Sequence, residues 1–163
     1  MILRRTTAGL IVELDSEADT NLIGQTLAGS LAANTVIGLI GPLGAGKTHL
    51  IRAVAIALGV DPREICSPTF VLIHEYEGRL PVFHFDAFRL GGPEPFEALG
   101  VSDYWEAGGV CLVEWANLVK EILPETTWYV TIEPTSETSR RLTISGPEPG
   151  RFEALLQQNL HQI

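Results

Sequence analysis

The sequence is poor in cysteine. Only two cysteines, Cys66 and Cys111, occur in 163 residues. They lie far apart and match no metal-binding spacing. Cys111 stands inside the apolar run Val110-Cys111-Leu112-Val113, so we expect it to be a small core residue. This low cysteine usage favours a reduced, cytoplasmic protein.

Long hydrophobic runs are also absent. No apolar stretch approaches the roughly 20 residues needed to cross a bilayer. The first residues, Met1-Ile2-Leu3-Arg4-Arg5, are not followed by a long apolar segment, so we expect no signal peptide. A membrane partner is therefore not expected.

Basic residues are few. The chain has 11 Lys and Arg against 20 Asp and Glu, which gives a formal net charge of −9. Nucleic-acid binding draws most of its affinity from Lys and Arg on phosphates. Strong direct binding of RNA or DNA is therefore not expected, and a role in nucleic-acid chemistry would need another component to hold the nucleic acid.

No internal repeat, low-complexity tract or long linker divides the chain, so we expect a single domain over residues 1–163. Strand and helix patterns alternate, which predicts an α/β fold. Predicted strands cover 8–13, 35–40, 70–76, 80–86, 110–113, 128–133 and 140–145. Predicted helices cover 16–31, 47–58, 96–99 and 152–160. Because the third and fourth strands can form an antiparallel hairpin, we expect a mixed sheet.

The most informative motif is Gly41-Pro42-Leu43-Gly44-Ala45-Gly46-Lys47-Thr48. It matches the phosphate-binding loop G-x-x-x-x-G-K-[ST] at every defined position. Its glycines let successive backbone N–H groups turn inward toward phosphate oxygens. Lys47 would meet the β- and γ-phosphates, and Thr48 would offer its hydroxyl to Mg²⁺. The preceding apolar strand and following helix supply the context that the motif requires.

Two acids end predicted strands. Asp86 follows Val82-Phe83-His84-Phe85, and Glu114 follows Val110-Cys111-Leu112-Val113. Ligands of open α/β sheets bind beyond the carboxyl ends of strands, where an acid can hold Mg²⁺ or orient water. Beside a phosphate-binding loop, this interpretation is favoured for Glu114. For Asp86 a solvated strand end is equally consistent with the pattern.

Several residues near these motifs allow two interpretations, one structural and one functional. His84 lies on the same strand face as Asp86 and can orient a group at the site or bond to the backbone. His49 follows Thr48 and is consistent with a surface or packing position as well as a nucleotide contact. Ser67-Pro68-Thr69-Phe70 is either a simple turn or a switch that senses the γ-phosphate. Trp115 would sit at the rim of the site.

The order of these motifs resembles the bacterial TsaE (YjeE) family of P-loop ATPases. The similarity covers most of the chain. The matching segments are Gly41 to Thr48, Ser67-Pro68-Thr69-Phe70, Glu75-Tyr76, His84 to Leu90, Leu99-Gly100, Asp103-Tyr104 and Glu114-Trp115.

The resemblance implies a three-layer P-loop NTPase-like fold, in which a central mixed β-sheet is flanked by helices. It also implies slow hydrolysis of ATP with Mg²⁺. Family members serve the threonylcarbamoyl modification of an anticodon-adjacent adenosine in tRNA by binding and resetting a TsaB–TsaD complex. On that basis we expect the protein to reach tRNA only indirectly, through this complex. We expect the isolated protein to be a monomer or to self-associate weakly.

The resemblance also implies residue roles. Lys47, Asp86 and Glu114 would be catalytic, and Thr48, Glu114 and Asp86 would surround the metal. Ser67, Pro68, Thr69 and Phe70 would form the switch. Expected nucleotide contacts are Gly41, Leu43, Gly44, Ala45, Gly46, Lys47, Thr48 and His49 around the phosphates, Trp115 nearby, and Glu17 and Thr138 toward the adenine.

Some positions depart from the family pattern. Phe88 stands where tyrosine is usual, Ala116 where proline is common, and His74 before Glu75 is atypical. None of them belongs to the phosphate loop. The main alternative function is a small-molecule or nucleotide kinase, but no cluster of arginines typical of a kinase lid is present. A GTPase is disfavoured because the chain has no N-K-x-D motif. A nucleotide-gated binding protein with incidental hydrolysis is close to the family role.

Overall fold

The computed structural model describes residues 1–65 and 73–162. Eight strands are found within those ranges: β1 (Ile2–Thr6), β2 (Gly9–Leu14), β3 (Thr35–Ile40), β4 (Ile73–Tyr76), β5 (Val82–Asp86), β6 (Val110–Glu114), β7 (Trp128–Pro134) and β8 (Arg140–Ser145). The α-helices are α1 (Glu17–Ser30), α2 (Lys47–Ala57), α3 (Pro93–Ala98), α4 (Ser102–Trp105) and α5 (Pro149–His161). A short 3-10 helix covers Ala116–Leu118.

All eight strands form one mixed sheet in the order β1-β2-β8-β7-β3-β6-β5-β4. The four adjacent strands β5, β6, β3 and β7 are parallel, and the pairs outside them are antiparallel. The predicted mixed sheet and the two predicted hairpins are therefore confirmed. Parallel strands bring their carboxyl ends to one edge of the sheet, so the residues after β3, β5 and β6 come together.

Two hydrophobic clusters lie on the two faces of the sheet. One contains Leu50, Ile51 and Val54 of α2 with Ile23 and Leu27 of α1. The other contains Phe85 and Phe96 with Val119, and it packs α3 and the segment after β6 against the opposite face. This arrangement is the α/β fold that the sequence pattern predicts, with the three layers that the family resemblance implies. No helix in the described ranges combines the length and the hydropathy that a membrane span requires.

Helix α1 approaches α2 closely at Gly24. A Cβ placed on Gly24 would lie 2.5 Å from the Cβ of Ala53, so a larger residue would force the helices apart. Ser16 caps α1 as predicted, because its hydroxyl accepts a hydrogen bond from the Asp19 amide. The close packing holds the start of α1 beside the start of α2, where the phosphate-loop motif ends.

The structure adds elements that the sequence did not predict. Strand β1 is an edge strand with mostly exposed side chains, and α4 is a single turn. The predicted helix at 96–99 begins earlier, at Pro93, and the C-terminal helix begins at Pro149. Cys111 is buried as expected, and burial raises the pKa of its thiol to about 12. The predicted switch Ser67–Phe70 lies outside the described residues.

Candidate nucleotide-binding site

The glycine-rich loop connects β3 to α2 at the centre of the sheet. Gly46 precedes the helix with φ 108° and ψ 15°, in the left-handed region that favours glycine. Gly44 also has a positive φ, and no atom lies within 4 Å of a Cβ built on either residue. No described residue beyond their chain neighbours therefore crowds these two glycines, and the helix N-terminus adds a field that favours anions.

Lys47 lies beneath this loop. Its Nζ donates hydrogen bonds to the carbonyl oxygens of Gly41 at 2.6 Å and Pro42 at 2.9 Å. Only 6% of the residue is exposed. Burial lowers the pKa of the Lys47 ammonium, and the nearby carboxylates of Glu114 and Asp86 act in the opposite direction. The Lys47 ammonium is therefore held by two backbone carbonyls that phosphate oxygens could replace, at the position where the motif binds phosphates.

Glu114 ends β6 and is 7% exposed. Its Oε1 accepts a hydrogen bond of 2.9 Å from the Thr48 hydroxyl, and its Oε2 contacts Nε2 of His84 at 2.8 Å. A carboxylate only accepts, so Nε2 of His84 carries the proton in this pair. Burial alone would raise the pKa of Glu114, but the bonds from His84 and Thr48 and the charge of Lys47 outweigh it and lower the pKa. Glu114 is therefore an ionised group beside the loop.

Asp86 lies next to Glu114 because the two residues are register partners on β5 and β6. Its Oδ1 accepts hydrogen bonds from the backbone amides of Phe88 and Arg89, both at 3.1 Å. These bonds stabilise the turn after β5 and orient the carboxyl group. The structure thus brings Asp86, Glu114, Lys47 and Thr48 together at one edge of the sheet, as the sequence predicted.

Trp115 forms one wall of the site. Its backbone has φ 58° and ψ 38°, a left-handed conformation that costs a residue with a Cβ about 1–2 kcal/mol. The turn places the indole against Lys47, whose Nζ lies 4.1 Å from the ring centroid. The ring of Phe88, which is 65% exposed, lies 5.5 Å from that of Trp115. Trp115 thus lies beside Lys47, and its predicted contact with a nucleotide stays a prediction.

A cavity of about 220 Å³ opens beside the loop. Its lining includes Ala45 and Gly46 from the loop, His49 from α2, Glu17 from α1 and Thr138 from the β7–β8 turn. Glu17 and Thr138, predicted toward the adenine, therefore share one cavity with His49, which was predicted near the phosphates. Nε2 of His49 also contacts Oδ1 of Asn21 at 3.1 Å, which fixes the ring at the cavity wall.

Leu43 differs from the rest of the loop because it is 91% exposed. The Leu43 side chain extends into solvent, so only the backbone of this residue is available to a ligand in the loop.

The sequence did not predict a role for Arg140, which lines the cavity and donates a hydrogen bond to the loop carbonyl of Ala45. Its position became visible only from the pairing of β8 in the sheet.

The central parallel strands, the glycine-rich loop and the Lys47–Thr48 start of α2 define a P-loop protein of the α/β class, which binds nucleotides. The family model described as threonylcarbamoyl adenosine biosynthesis protein TsaE matches residues 14–142. The chain belongs to the TsaE family.

Individual relatives agree with this assignment. The tRNA threonylcarbamoyladenosine biosynthesis protein TsaE of Bacillus subtilis is 36% identical over 141 residues, which is 86% of this chain and 87% of the relative. The protein of the same name from Treponema pallidum is 35% identical over 130 residues, or 80% and 96% of the two chains. The crystal structure of Bacillus subtilis YdiB superposes with a TM-score of 0.72 at 28% identity and covers 99% of this chain and 98% of YdiB.

Proposed function

We propose that this protein binds and slowly hydrolyses ATP with Mg²⁺ and thereby serves tRNA threonylcarbamoyladenosine biosynthesis through a TsaB–TsaD complex. The observation that carries the proposal is the contact between Thr48 of the loop and Glu114 of β6, with Lys47 beside both. This arrangement joins the phosphate-binding and metal-binding parts of a P-loop site in one network.

The loop would hold the phosphates. Gly44 and Gly46 give the loop its positive-φ turns, and Lys47 can exchange its two carbonyl acceptors for phosphate oxygens. The adjacent cavity, with Glu17, His49 and Thr138 in its wall, would accept the base. A cavity of about 220 Å³ next to the phosphate position suits one end of a nucleotide.

The residues at the loop suit Mg²⁺. Mg²⁺ is held in proteins by oxygen ligands, commonly one or two carboxylates together with substrate phosphates. The hydroxyl of Thr48 and the carboxylate of Glu114 supply such oxygens, and Asp86 adds a third group on the next strand. Within 1–65 and 73–162, no group of three or more His, Cys, Asp or Glu residues forms a complete metal cage. When bound, the ion would neutralise charge on the β- and γ-phosphates.

We assign distinct roles to the two acids. Glu114 contacts Thr48 and is deeply buried, so we assign it to the metal together with that hydroxyl. Asp86 is more accessible and is oriented by the Phe88 and Arg89 amides, so we assign it to the outer metal position, where it orients the attacking water. Lys47 would stabilise charge on the transferred phosphoryl group.

The charge distribution favours an indirect relation to tRNA. The net charge is −9, and Lys47 is committed to the loop. A partner must therefore hold the tRNA. We place the protein in the cytoplasm, where tRNA is modified, and expect it to be a monomer or to self-associate weakly when isolated.

The test is ATP hydrolysis by the purified protein, alone and with purified TsaB–TsaD, with and without tRNA. We expect slow basal hydrolysis that changes on complex formation, together with multiple-turnover tRNA modification. Lys47→Ala serves as the negative control. Phosphate transferred to a member of a metabolite panel, with no response to TsaB–TsaD, would replace this proposal with a kinase.

A further inference from the structure

Arg140, the first residue of β8, joins the phosphate loop to the turn between β7 and β8. Its Nε donates to the carbonyl oxygen of Ala45 at 2.9 Å, across 95 positions of sequence. Its Nη1 donates to the carbonyl oxygens of Ser139 at 3.0 Å, Ser136 at 3.2 Å and Glu137 at 3.3 Å. One guanidinium therefore contacts four backbone carbonyls in two segments that border the same cavity.

The contact with Ala45 has a consequence for the next amide. In a planar trans peptide the C=O and N–H groups point in opposite directions. The Ala45 carbonyl points toward Arg140, so the Gly46 N–H points away from Arg140. In the described part of the chain, no backbone amide donates to that carbonyl, and the Gly46 amide donates to no backbone oxygen.

The following peptide is fixed by a different element. The carbonyl of Gly46 accepts a hydrogen bond of 3.0 Å from the Leu50 amide in the first turn of α2. Gly46 therefore joins two fixed peptide groups. Arg140 holds the peptide before Gly46, and the first turn of α2 holds the peptide after it. The φ angle of Gly46 between these two groups is 108°. A glycine in this conformation rotates readily, so its amide keeps its direction only while both neighbours are held.

We propose that Arg140 is a positioning residue for nucleotide phosphates: it holds the Ala45 carbonyl so that the Gly46 N–H faces the phosphate. This inference rests on the proposed ATP-binding function. The same side chain ties the turn containing Thr138, at the base end of the cavity, to the loop at its phosphate end. Binding of the base and of the phosphates is thereby coupled through one guanidinium.

Arg141 provides a matched control. It is the next residue of β8, and successive residues of a strand face opposite sides. Its Nε donates to Oε1 of Glu13 at 2.7 Å on β2, and it does not line the cavity. Replacing either arginine by glutamine removes one positive charge from the same strand, so a difference between the two variants reports position rather than charge.

The experiment measures ADP affinity by calorimetry for the wild type, Arg140→Gln, Arg140→Lys and Arg141→Gln, with thermal unfolding as the check on folding. We expect Arg140→Gln to weaken ADP binding about tenfold or more, since a hydrogen bond to a charged group is lost and the loop amide is freed. Arg140→Lys should bind ADP almost as weakly as Arg140→Gln. An ammonium lacks the planar fork of donors that contacts both the loop and the β7–β8 turn. Arg141→Gln should stay within about twofold of the wild type.

A second readout follows the Gly46 amide directly by NMR. Labelling alanine with ¹³C at the carbonyl and glycine with ¹⁵N selects the glycines that follow an alanine, which are Gly9, Gly29, Gly46 and Gly108. In the wild type and in Arg141→Gln, ADP should move the Gly46 amide proton downfield. In Arg140→Gln that shift should be reduced at saturating ADP, an effect that a change in global stability would not produce.

The outcomes separate the two proposals. Wild-type protein that binds no ADP overturns the proposed function and this inference with it. Wild-type binding that Arg140→Gln retains within twofold, with an unchanged Gly46 shift, overturns the role of Arg140 alone. If Arg140→Gln does not fold, the Arg140→Lys variant tests the proposal. Wild-type ADP affinity and a wild-type Gly46 shift in Arg140→Lys would show that the guanidinium is not needed to hold the Ala45 carbonyl.

Discussion

The hydroxyl of Thr48 donates a hydrogen bond of 2.9 Å to Oε1 of Glu114, although 66 positions separate the two residues in sequence. The contact links the start of α2 to the end of β6 and places a hydroxyl beside a buried carboxylate. His84 occupies the other carboxylate oxygen. Glu114 is therefore held in one orientation before any ligand arrives.

Replacing Thr48 by valine should abolish the enhancement of nucleotide binding by Mg²⁺ while leaving metal-free ADP binding largely intact. The valine keeps the shape but removes the hydroxyl and deprives Oε1 of Glu114 of its donor. We also expect a loss of about 1–3 kcal/mol in the free energy of unfolding of the apo protein. The measurement is ADP affinity with Mg²⁺ and with EDTA. Thr48→Ser keeps the hydroxyl and should behave like the wild type, and a serine variant as defective as valine would contradict this role.

Lys47→Ala should weaken ATP and ADP binding by about a hundredfold, because the variant loses a charged contact to phosphate in a partly desolvated site. The matched control is Lys120→Ala, which removes a lysine whose Nζ lies 4.7 Å from the Tyr129 ring centroid. That variant should bind nucleotide like the wild type. Calorimetry decides, and an unchanged ATP affinity in Lys47→Ala would remove the basis of the loop assignment.

Trp115 should report nucleotide binding by fluorescence. Its ring lies against Lys47, and that ammonium must leave the Gly41 and Pro42 carbonyls when phosphates bind. A variant carrying Trp105→Phe and Trp128→Phe isolates the signal of Trp115. We expect its emission to change on adding Mg-ADP and to stay constant when Lys47→Ala is added to the same background. A silent Trp115 in a variant that binds ADP would place the nucleotide away from this ring.

Glu114 should make the stability of the apo protein depend on pH. Its pKa in the folded state is lowered below the ordinary value of 4.5, so folding favours the ionised form. The resulting stabilisation is present above about pH 4.5 and is lost as the pH falls through the folded-state pKa. The difference in free energy of unfolding between the wild type and Glu114→Gln should shrink on acidification from pH 6 to about pH 3. Denaturant unfolding in EDTA measures it, and a constant difference across that range would show that the carboxyl is not stabilised in its charged form.

Much of the site could be predicted from the sequence because its information is local. The loop from Gly41 to Thr48 specifies its own backbone, and the apolar strand before Glu114 identifies a buried central strand. The contact between Glu114 and His84 could not be predicted, since it depends on the register in which His84 lies beside Leu112. Arg140 was missed because its role arises only when β8 joins β2 and β7 and reaches the loop. Strand β1 was missed because an exposed edge strand has no clear alternation of apolar and polar residues.

The place of β3 in the sheet also bears on how the protein is made. The strand that carries the loop pairs with β6 and β7, which follow it in the chain by about 70 to 95 residues. During synthesis, the loop therefore emerges long before either neighbour can hydrogen-bond to its strand. Contacts between such distant segments form slowly. A nascent chain would acquire its complete nucleotide site only after Thr138 and Arg140 have left the ribosome, and until then the apolar β3 segment lacks its neighbouring strands.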